Sequence, residues 1–512
     1  MTNGKILPTA ALLAAGLWSG ACAPYLGDAA ARDVDRSVPA SFGALQPDPQ
    51  PDPQPDPQSD PKGTGEQTPS ASSAELTAAQ FFGDPKLLAL VDEALANNQE
   101  LNILDQEISI AHSEVMARRG EYLPRLGFGA EGGIEKVGEF TSQGASDAND
   151  EITPGRHVPE NLQNYGLGFF ASWEVDIWSK LRNATKAAVF RVMSTVEGKN
   201  FAVTRLVAEL ARSYYELMAL DNELAVLRRN IEIQNQALEV VRNQKQAARV
   251  TELAVQRFEA EVLRSRSRLF DVQQEITEAE NRVNVLVGRF PQPVARASDA
   301  FLELSPADVA AGLPTQLLEN RPDLKQAEME LAAAKLDVSV AKARFYPSLS
   351  IDAAAGLEAF EVSKLPEWPE SVFYNAFANI TAPLLNRKAI TAGYRAANSR
   401  QMQAVYHYER TIREAYAETA NQLAMIGNLA RKYELKSQQV DILQQAIAVS
   451  NQLFASARAD YMEVLLTRRD ALEAQMELIE TKKRQLDAMV NMYQALGGGW
   501  RVAPPDAEKG GE

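Results

Sequence analysis

The chain contains one sequence pattern twice, and this duplication limits its possible folds more than any other feature. In the first copy, a stretch of helical character leads to an aromatic residue, then Pro124, then a segment that alternates apolar and polar residues. The same order recurs at Pro347, 223 positions later. Gly288 and Gly497 are related in the same way at a separation of 209 positions. These separate landmarks indicate two copies of one structural unit.

Very long helices are predicted in the later part of each copy. Proline is absent from residues 160–290 and 384–503. Within the first stretch, the segment of about 70 residues from Ser179 to Ala247 contains glycine only at Gly198. At a rise of 1.5 Å per residue, a continuous helix of this length measures about 100 Å. Such a helix is far longer than those of ordinary globular domains.

Apolar residues recur in both stretches at steps of three and four. They are Leu217, Leu220, Leu224, Leu227, Ile231, Leu238 and Val241 in the first copy, and Leu435, Ile442, Ala446, Val449 and Leu453 in the second. Heptads sustained over this length require partner helices along the whole stretch. We therefore predict that the long helices pack as coiled coils.

Two segments in each copy alternate apolar and polar residues, as strands with one apolar and one polar face do. The apolar positions are Leu126, Phe128 and Ala130, then Tyr165, Leu167, Phe169, Ala171, Trp173 and Val175, then Leu349, Ile351, Ala353 and Ala355, and finally Val372, Tyr374, Ala376, Ala378 and Ile380. Phe170 breaks the pattern. Glu174 and Asp176 are expected on the polar face of the second segment.

Strands of about 10 residues are long enough to cross a membrane when they are tilted. Beyond the amino terminus, the chain has no apolar run of about 20 residues that would make a transmembrane helix. A soluble hairpin would show the same alternation. Four membrane strands cannot close on themselves, and an open edge in lipid leaves backbone groups unpaired at several kcal/mol each. A membrane-spanning role therefore requires strands from several chains.

The amino terminus has the features of an export signal. Residues 1–21 carry one basic residue, Lys5, before an apolar stretch, and they end in small residues directly before Cys22, the sole cysteine. The position of Cys22 resembles the lipobox of bacterial lipoproteins, which implies lipidation there, and Ala23 implies sorting to the outer membrane. A plain signal peptide is the alternative. Residues 22–78 follow as a proline-rich tether.

Composition excludes several classes of function. The net charge of −16 argues against nucleic acid, because duplex binding requires a basic face. One cysteine and three well-separated histidines, His112, His157 and His407, give no expected metal site. The sequence contains no nucleophile elbow and no phosphate-binding Walker loop. We therefore expect neither a cofactor nor an enzymatic activity.

Three motifs carry a resemblance to a known family. They are WEVDIW at residues 173–178, YMEVL at residues 461–465 and YQALGGGW at residues 493–500. The chain resembles the TolC-like outer membrane factor family, and its closing motif is similar to the lipidated NodT-like branch. The resemblance implies a mostly α fold with a small β part. In that fold, a long α-helical coiled-coil barrel continues into a trimeric 12-stranded transmembrane β-barrel, with four strands per protomer.

The resemblance also implies domain limits, partners and a function. Repeat 1 is expected at residues 79–300, repeat 2 at residues 301–500 and a carboxy-terminal tail at residues 501–512. The expected function is the outer-membrane exit duct of a tripartite efflux pump. Its implied partners are two further copies in a homotrimer, a periplasmic adaptor protein, an inner-membrane transporter of the resistance-nodulation-division class and the lipid of the outer membrane. The alternatives are a type I protein-secretion channel and a soluble periplasmic coiled-coil scaffold.

The resemblance places functional residues where each copy reverses direction. The tips expected to contact the adaptor are Ala248, Arg249, Val250 and Thr251 in the first copy, and Ala457, Arg458 and Asp460 in the second. In the family, glycine usually stands where this chain has the two alanines, which predicts a different turn geometry. The arginine that follows each alanine predicts a more ionic contact with the adaptor.

Acidic residues just beyond the tips are implied to line a pore aperture. Glu463 is the main candidate, and Glu252 and Asp460 are weaker ones. Leu466 stands where aspartate is common in the family, so the usual second acidic ring is not expected. Three symmetry-related carboxylates would favour cations in the aperture.

Overall fold

The computed structural model describes residues 32–39, 41–42, 72–304, 310–385, 387–456 and 458–501. Several predictions fall on residues outside these ranges. They concern the signal peptide, Cys22 and its lipidation, most of the proline-rich tether, Ala457 and nearly all of the tail.

Each copy contains short helices, a pair of long strands and a hairpin of very long helices. The first copy has α1 (Ala78–Phe82), α2 (Pro85–Asn97), α3 (Gln99–Tyr122), β1 (Arg125–Glu135), α4 (Ser142–Asp147), β2 (Glu151–Thr153), β3 (Arg156–His157), β4 (Leu162–Val175), α5 (Lys180–Gln246) and α6 (Glu252–Val287). The second copy has α7 (Gln316–Asn320), α8 (Pro322–Ala343), β5 (Ser348–Ala359), β6 (Val372–Thr381), α9 (Lys388–Ala455) and α10 (Tyr461–Ala495). Short 3₁₀ turns occur at Ser73–Glu75, Ser298–Glu303 and Val362–Lys364.

The element bounds confirm the duplication. Strands β1 and β5 begin 223 positions apart, and helices α6 and α10 begin 209 positions apart. Helices α5 and α9 contain 67 and 68 residues. The prediction of a mostly helical fold with a small strand part is therefore confirmed. Within the described ranges, no helix has the length and hydropathy that crossing a membrane requires.

The chain divides into two compact units, and each draws on both copies. One unit includes residues 109–193 and 329–406 and contains the strands. The other includes residues 34–108, 194–328 and 407–501 and contains most of the two helical hairpins.

The strand-containing unit is built on a four-stranded antiparallel sheet in the order β1-β4-β5-β6. In its register, Phe128 faces Phe169, Phe169 faces Ala355, and Ala355 faces Tyr374. All predicted apolar positions of the four strands therefore share one face, as expected. Phe128 and Tyr374 are 62% and 84% exposed on that face, so its aromatic groups lie open. Strands β1 and β6 are the two edges of this sheet.

The WEVDIW motif joins strand β4 to helix α5. Trp173 donates its indole N–H to the carbonyl of Tyr122 (3.1 Å), and Trp178 donates to that of Pro347 (2.7 Å). These two bonds tie the junction to the start of β1 and of β5. The expectation that Asp176 lies on a strand face was wrong. Strand β4 ends at Val175, and the nearly buried Asp176 carboxylate accepts hydrogen bonds from the N–H groups at the start of α5.

The YQALGGGW motif closes the core of the helical unit. The Tyr493 ring stacks on Phe81 with a centroid distance of 4.1 Å, and its hydroxyl donates to the carbonyl of Leu76 (2.6 Å). Gly497 adopts a φ of +86° after helix α10 ends. A Cβ at this position would lie 2.6 Å from the carbonyl oxygen of Asn320, so both the backbone conformation and the packing require glycine.

Candidate functional site at the helical hairpin tips

The first tip, between α5 and α6, is a left-handed turn built on alanine. Ala248 has a φ of +58°, a region that favours glycine. The N–H of Ala248 donates to the carbonyl of Lys245 and that of Arg249 to Gln244, both at 2.9 Å. This pair of bonds is the Schellman arrangement that commonly ends helices at glycine. Ala248 therefore keeps the geometry of a glycine turn, so the prediction of a different geometry was wrong at this tip.

The second tip, between α9 and α10, has the same hydrogen-bond spacing. The N–H of Arg458 donates to the carbonyl of Leu453 at 2.9 Å, which matches the bond from Arg249 to Gln244. Thr251 and Asp460 stand at equivalent positions as the N-caps of α6 and α10, and neither side chain makes a capping hydrogen bond. Both polar groups are exposed and remain available at the tips.

An apolar cluster holds the two tips together. Its buried members come from the first hairpin: Leu238, Val241, Ala254, Val255, Phe258 and Val262. Val250 of the first tip packs against this cluster, and so do Tyr461 and Leu465 from the first turns of α10. The predicted tip residues of both copies therefore lie in one region of the helical unit, as their repeat positions imply.

The charged side chains of the tips differ in their partners. Glu252 forms an ion pair with Lys245 across the first turn. Glu463 and Asp460 are exposed, and neither is in an ion pair with a lysine or arginine of the described chain. Arg458 is also exposed. Glu463 thus retains an uncompensated charge, whereas Lys245 offsets the charge of Glu252.

An open groove of about 570 Å³ runs beside Glu463. Its apolar lining includes Ile442, Val449 and Leu466, and Asp470 stands at its border. Leu466 is 40% exposed. Leucine at this position therefore extends an apolar surface towards the tip.

Sequence reasoning missed two basic residues near the tips. Lys245 offsets Glu252, and Arg468 lies behind Glu463 on α10. Burial lowers the pKa of Arg468, whose guanidinium donates to Asn451 at 3.2 Å. The short sequence separation of Lys245 and Glu252 across the turn could have predicted their ion pair. Nothing in the heptad pattern, however, indicates that Arg468 is buried. Among the described residues, no group of three or more histidine, cysteine or acidic side chains is placed to hold a metal ion.

Comparison with known proteins identifies the family. The sequence model described as "Outer membrane efflux protein" matches residues 90–289 and 313–498, one segment in each copy. The chain belongs to the outer membrane efflux protein family. The TolC-like resemblance is thereby confirmed, together with the predicted efflux role and location at the outer membrane.

Relatives of this efflux protein match most of its length. The pyoverdine export outer membrane protein OpmQ of Pseudomonas aeruginosa is 27% identical over 420 residues, which cover 82% of this chain and 86% of that protein. The probable outer membrane lipoprotein SilC of Salmonella typhimurium is 26% identical over 435 residues, with 85% and 90% covered. The open-state MtrE outer membrane channel of Neisseria gonorrhoeae has a TM-score of 0.74 at 22% identity, covering 84% of this chain and 93% of that one. The last likeness concerns the fold alone.

Proposed function

We propose that this efflux protein is the outer-membrane exit duct of a tripartite pump and acts as a homotrimer without catalysis of its own. An inner-membrane transporter of the resistance-nodulation-division class would supply the energy, and a periplasmic adaptor would join it to the duct. The conducted compounds would be drugs, other small toxic molecules or metal ions.

The single observation that carries the proposal is the four-stranded sheet with one apolar face, whose edge strands β1 and β6 each pair with only one strand of the described chain. In water, the exposed Phe128 and Tyr374 on that face would be unfavourable. In lipid, the apolar face is favourable, but the backbone groups at the edges of β1 and β6 then need hydrogen-bond partners. Pairing β1 of one copy with β6 of the next satisfies both edges. Three copies supply 12 strands, above the minimum of about eight for a closed barrel.

The hairpin tips support the periplasmic half of the proposal. Arg249 and Arg458 would contact the adaptor together with Val250, Thr251 and Asp460, and the exposure of both arginines at the tips supports this role. Glu463 would form the aperture ring in a trimer, and its lack of an ion pair among described residues supports this role. Glu252 is the weaker candidate because Lys245 neutralises it.

Lipidation of Cys22 remains part of the proposal. The acyl chains would insert into the outer membrane and add about 0.8 kcal/mol for each buried CH₂ group. Mass spectrometry of the mature amino terminus tests this directly. A diacylglycerol-modified Cys22 is expected, whereas cleavage without a lipid would exclude the anchor and leave the duct proposal intact.

The experiment that tests the duct is purification from outer membranes in mild detergent. An unheated sample should migrate as a trimer on a denaturing gel, a heated one as a monomer, and the trimer should conduct ions in planar bilayers. A monomeric preparation without conductance would overturn the proposal.

A type I protein-secretion channel is the second candidate. The pyoverdine exporter OpmQ, a relative at 27% identity, favours a small exported compound instead. Deleting the gene separates the two functions. Loss of a secreted protein without any change in resistance to toxic compounds would support the second candidate.

A further inference from the structure

A large groove lies at the end of the sheet where β1 ends and β4 begins. Its volume is about 1260 Å³, and it is bordered by the connections between β1 and β4 and between β5 and β6. We call it the distal groove and define it by Glu131, Glu358, Glu370, Ile152, Phe360 and Phe373. Glu131, Glu358 and Phe373 belong to the polar face of the sheet by register.

Two of its glutamates stand on either side of one glycine. Gly166 of β4 stands opposite Glu131 on one side and Glu358 on the other. A Cβ on Gly166 would lie 3.1 Å from the Cγ of Glu131, so the glycine leaves room for the glutamate side chain to lie over β4. Asn164 donates to the Glu358 carboxylate at 2.6 Å and so orients it. Glu131 and Glu358 therefore flank the same position of β4 on the polar face of the sheet.

The lysines near the distal groove are already engaged. Lys364 pairs with Glu367 at 2.6 Å, and Lys136 pairs with Glu160. Glu131 and Glu370 also line the groove, and neither is in an ion pair with Lys364 or Lys136. The residues that line the groove include six glutamates and a single lysine, Lys364, so the lining has an excess of negative charge.

The walls between these carboxylates are apolar. Phe373 lies on the sheet, Phe360 is 42% exposed and Ile152 is 41% exposed. A small inorganic cation gains nothing from such walls, whereas an aromatic or aliphatic body attached to a cation matches both features. We propose that the distal groove binds organic cations with an apolar body. This rests on the proposed function, which places the polar face of the sheet inside the duct and the groove at its exit.

The test uses two probes of equal shape and opposite charge, tetraphenylphosphonium and tetraphenylborate. Binding to the detergent-solubilised trimer is measured by titration calorimetry against detergent alone. Wild-type protein should bind the cation in preference to the anion. Glu131→Gln combined with Glu358→Gln should weaken cation binding about threefold or more. Glu139→Gln, which removes a nearby exposed carboxylate that does not line the groove, should leave it unchanged.

The Glu370→Gln variant guards against misfolding of the strands, because Glu370 lies in the connection between β5 and β6. It should also weaken cation binding, by less than the double variant. Equal binding of the two probes, or unchanged cation binding in both variants, would overturn the groove proposal. Planar-bilayer conductance of the same samples separates the two proposals. Conducting trimers with unchanged cation binding refute the groove alone, whereas absence of conductance refutes the duct.

Discussion

Ala248 shows how a single residue can oppose the backbone conformation that its neighbours impose. Its φ of +58° crowds the Cβ against the backbone, at a cost of roughly 1–2 kcal/mol. Ala248→Gly should therefore raise the stability of the first hairpin by about 0.5–1 kcal/mol, after the greater unfolded-state entropy of glycine is deducted. Chemical denaturation of the purified protein measures the change. Ala247→Gly, one residue earlier and without positive φ, should bring no gain; equal effects would show that strain at Ala248 is absent.

Asp487 on α10 combines burial with an unsatisfied polar atom. Its Oδ1 is buried without a hydrogen-bond partner among the described residues. Burial is the largest cause that raises the pKa of Asp487 to about 6 from 3.8; Glu216 and Glu480 add to the rise, while Lys483 and Arg212 oppose it. Burial in the folded state disfavours ionisation of Asp487. The contribution of this carboxyl group to the free energy of unfolding is therefore fully present below pH 4 and is lost as the pH rises through 6.

Replacing Asp487 with asparagine removes this penalty. The variant should be more stable than wild type by about 1–2 kcal/mol at pH 7, and the two should converge near pH 4. Thermal denaturation of the detergent-solubilised protein at a series of pH values measures the difference. Asp470→Asn is the control because Asp470 has an exposed side chain. A pH profile unaffected by Asp487→Asn would contradict the assignment.

Helices and strands were predictable because each shows its period directly in the sequence. The alternation in β4 runs from Tyr165 to Val175 and reappears as one apolar face in the sheet. The ends of helices and strands were harder to predict from the sequence. Asp176 occupies the next polar position of the alternating pattern. The strand nevertheless ends at Val175, and the Asp176 side chain accepts hydrogen bonds at the start of α5 instead. Local period therefore predicts which face a residue occupies but not where the strand stops.

Helix α9 displays an apolar stripe that requires a partner. Leu435, Ile442 and Val449 follow one another at intervals of seven residues and are 67%, 65% and 54% exposed. Heptad packing against a neighbouring copy would bury them in the proposed trimer. Ile442→Lys should therefore weaken the trimer by on the order of 2 kcal/mol for each buried side chain. The measurement is the temperature at which the trimer band disappears on a gel.

The matched control for this stripe is Gln444→Lys. Gln444 is exposed on α9 but lies two positions from Ile442, on a different side of the helix. It should leave the trimer band unchanged. Equal loss in both variants would indicate a general effect of lysine, and no loss in either would mean that the stripe is not an interface.

At the scale of the whole molecule, the duplication predicted the position of the hairpin tips better than any single motif did. The repeat offset relates the tip at Arg249 to that at Arg458, and their matching hydrogen bonds agree with it. The sequence did not reveal which charges remain free. Lys245 neutralises Glu252, whereas Glu463 keeps its charge, and this difference depends on side-chain positions around each turn. The distal groove was missed for a similar reason, because its carboxylates come from separate strands.

If the tips dock an adaptor through ionic contacts, reversing their charge should break the pump while leaving the duct intact. Combined Arg249→Glu and Arg458→Glu substitutions should weaken binding of the purified adaptor by on the order of tenfold, and wild-type binding should itself weaken as salt is added. Trimer formation and bilayer conductance should remain unchanged. The control is Arg410→Glu, which reverses an exposed arginine on α9 away from the tips. Adaptor binding that survives the double reversal at low salt would show that the contact is apolar, through Val250 and its neighbours, and that the arginines are solvated turn residues.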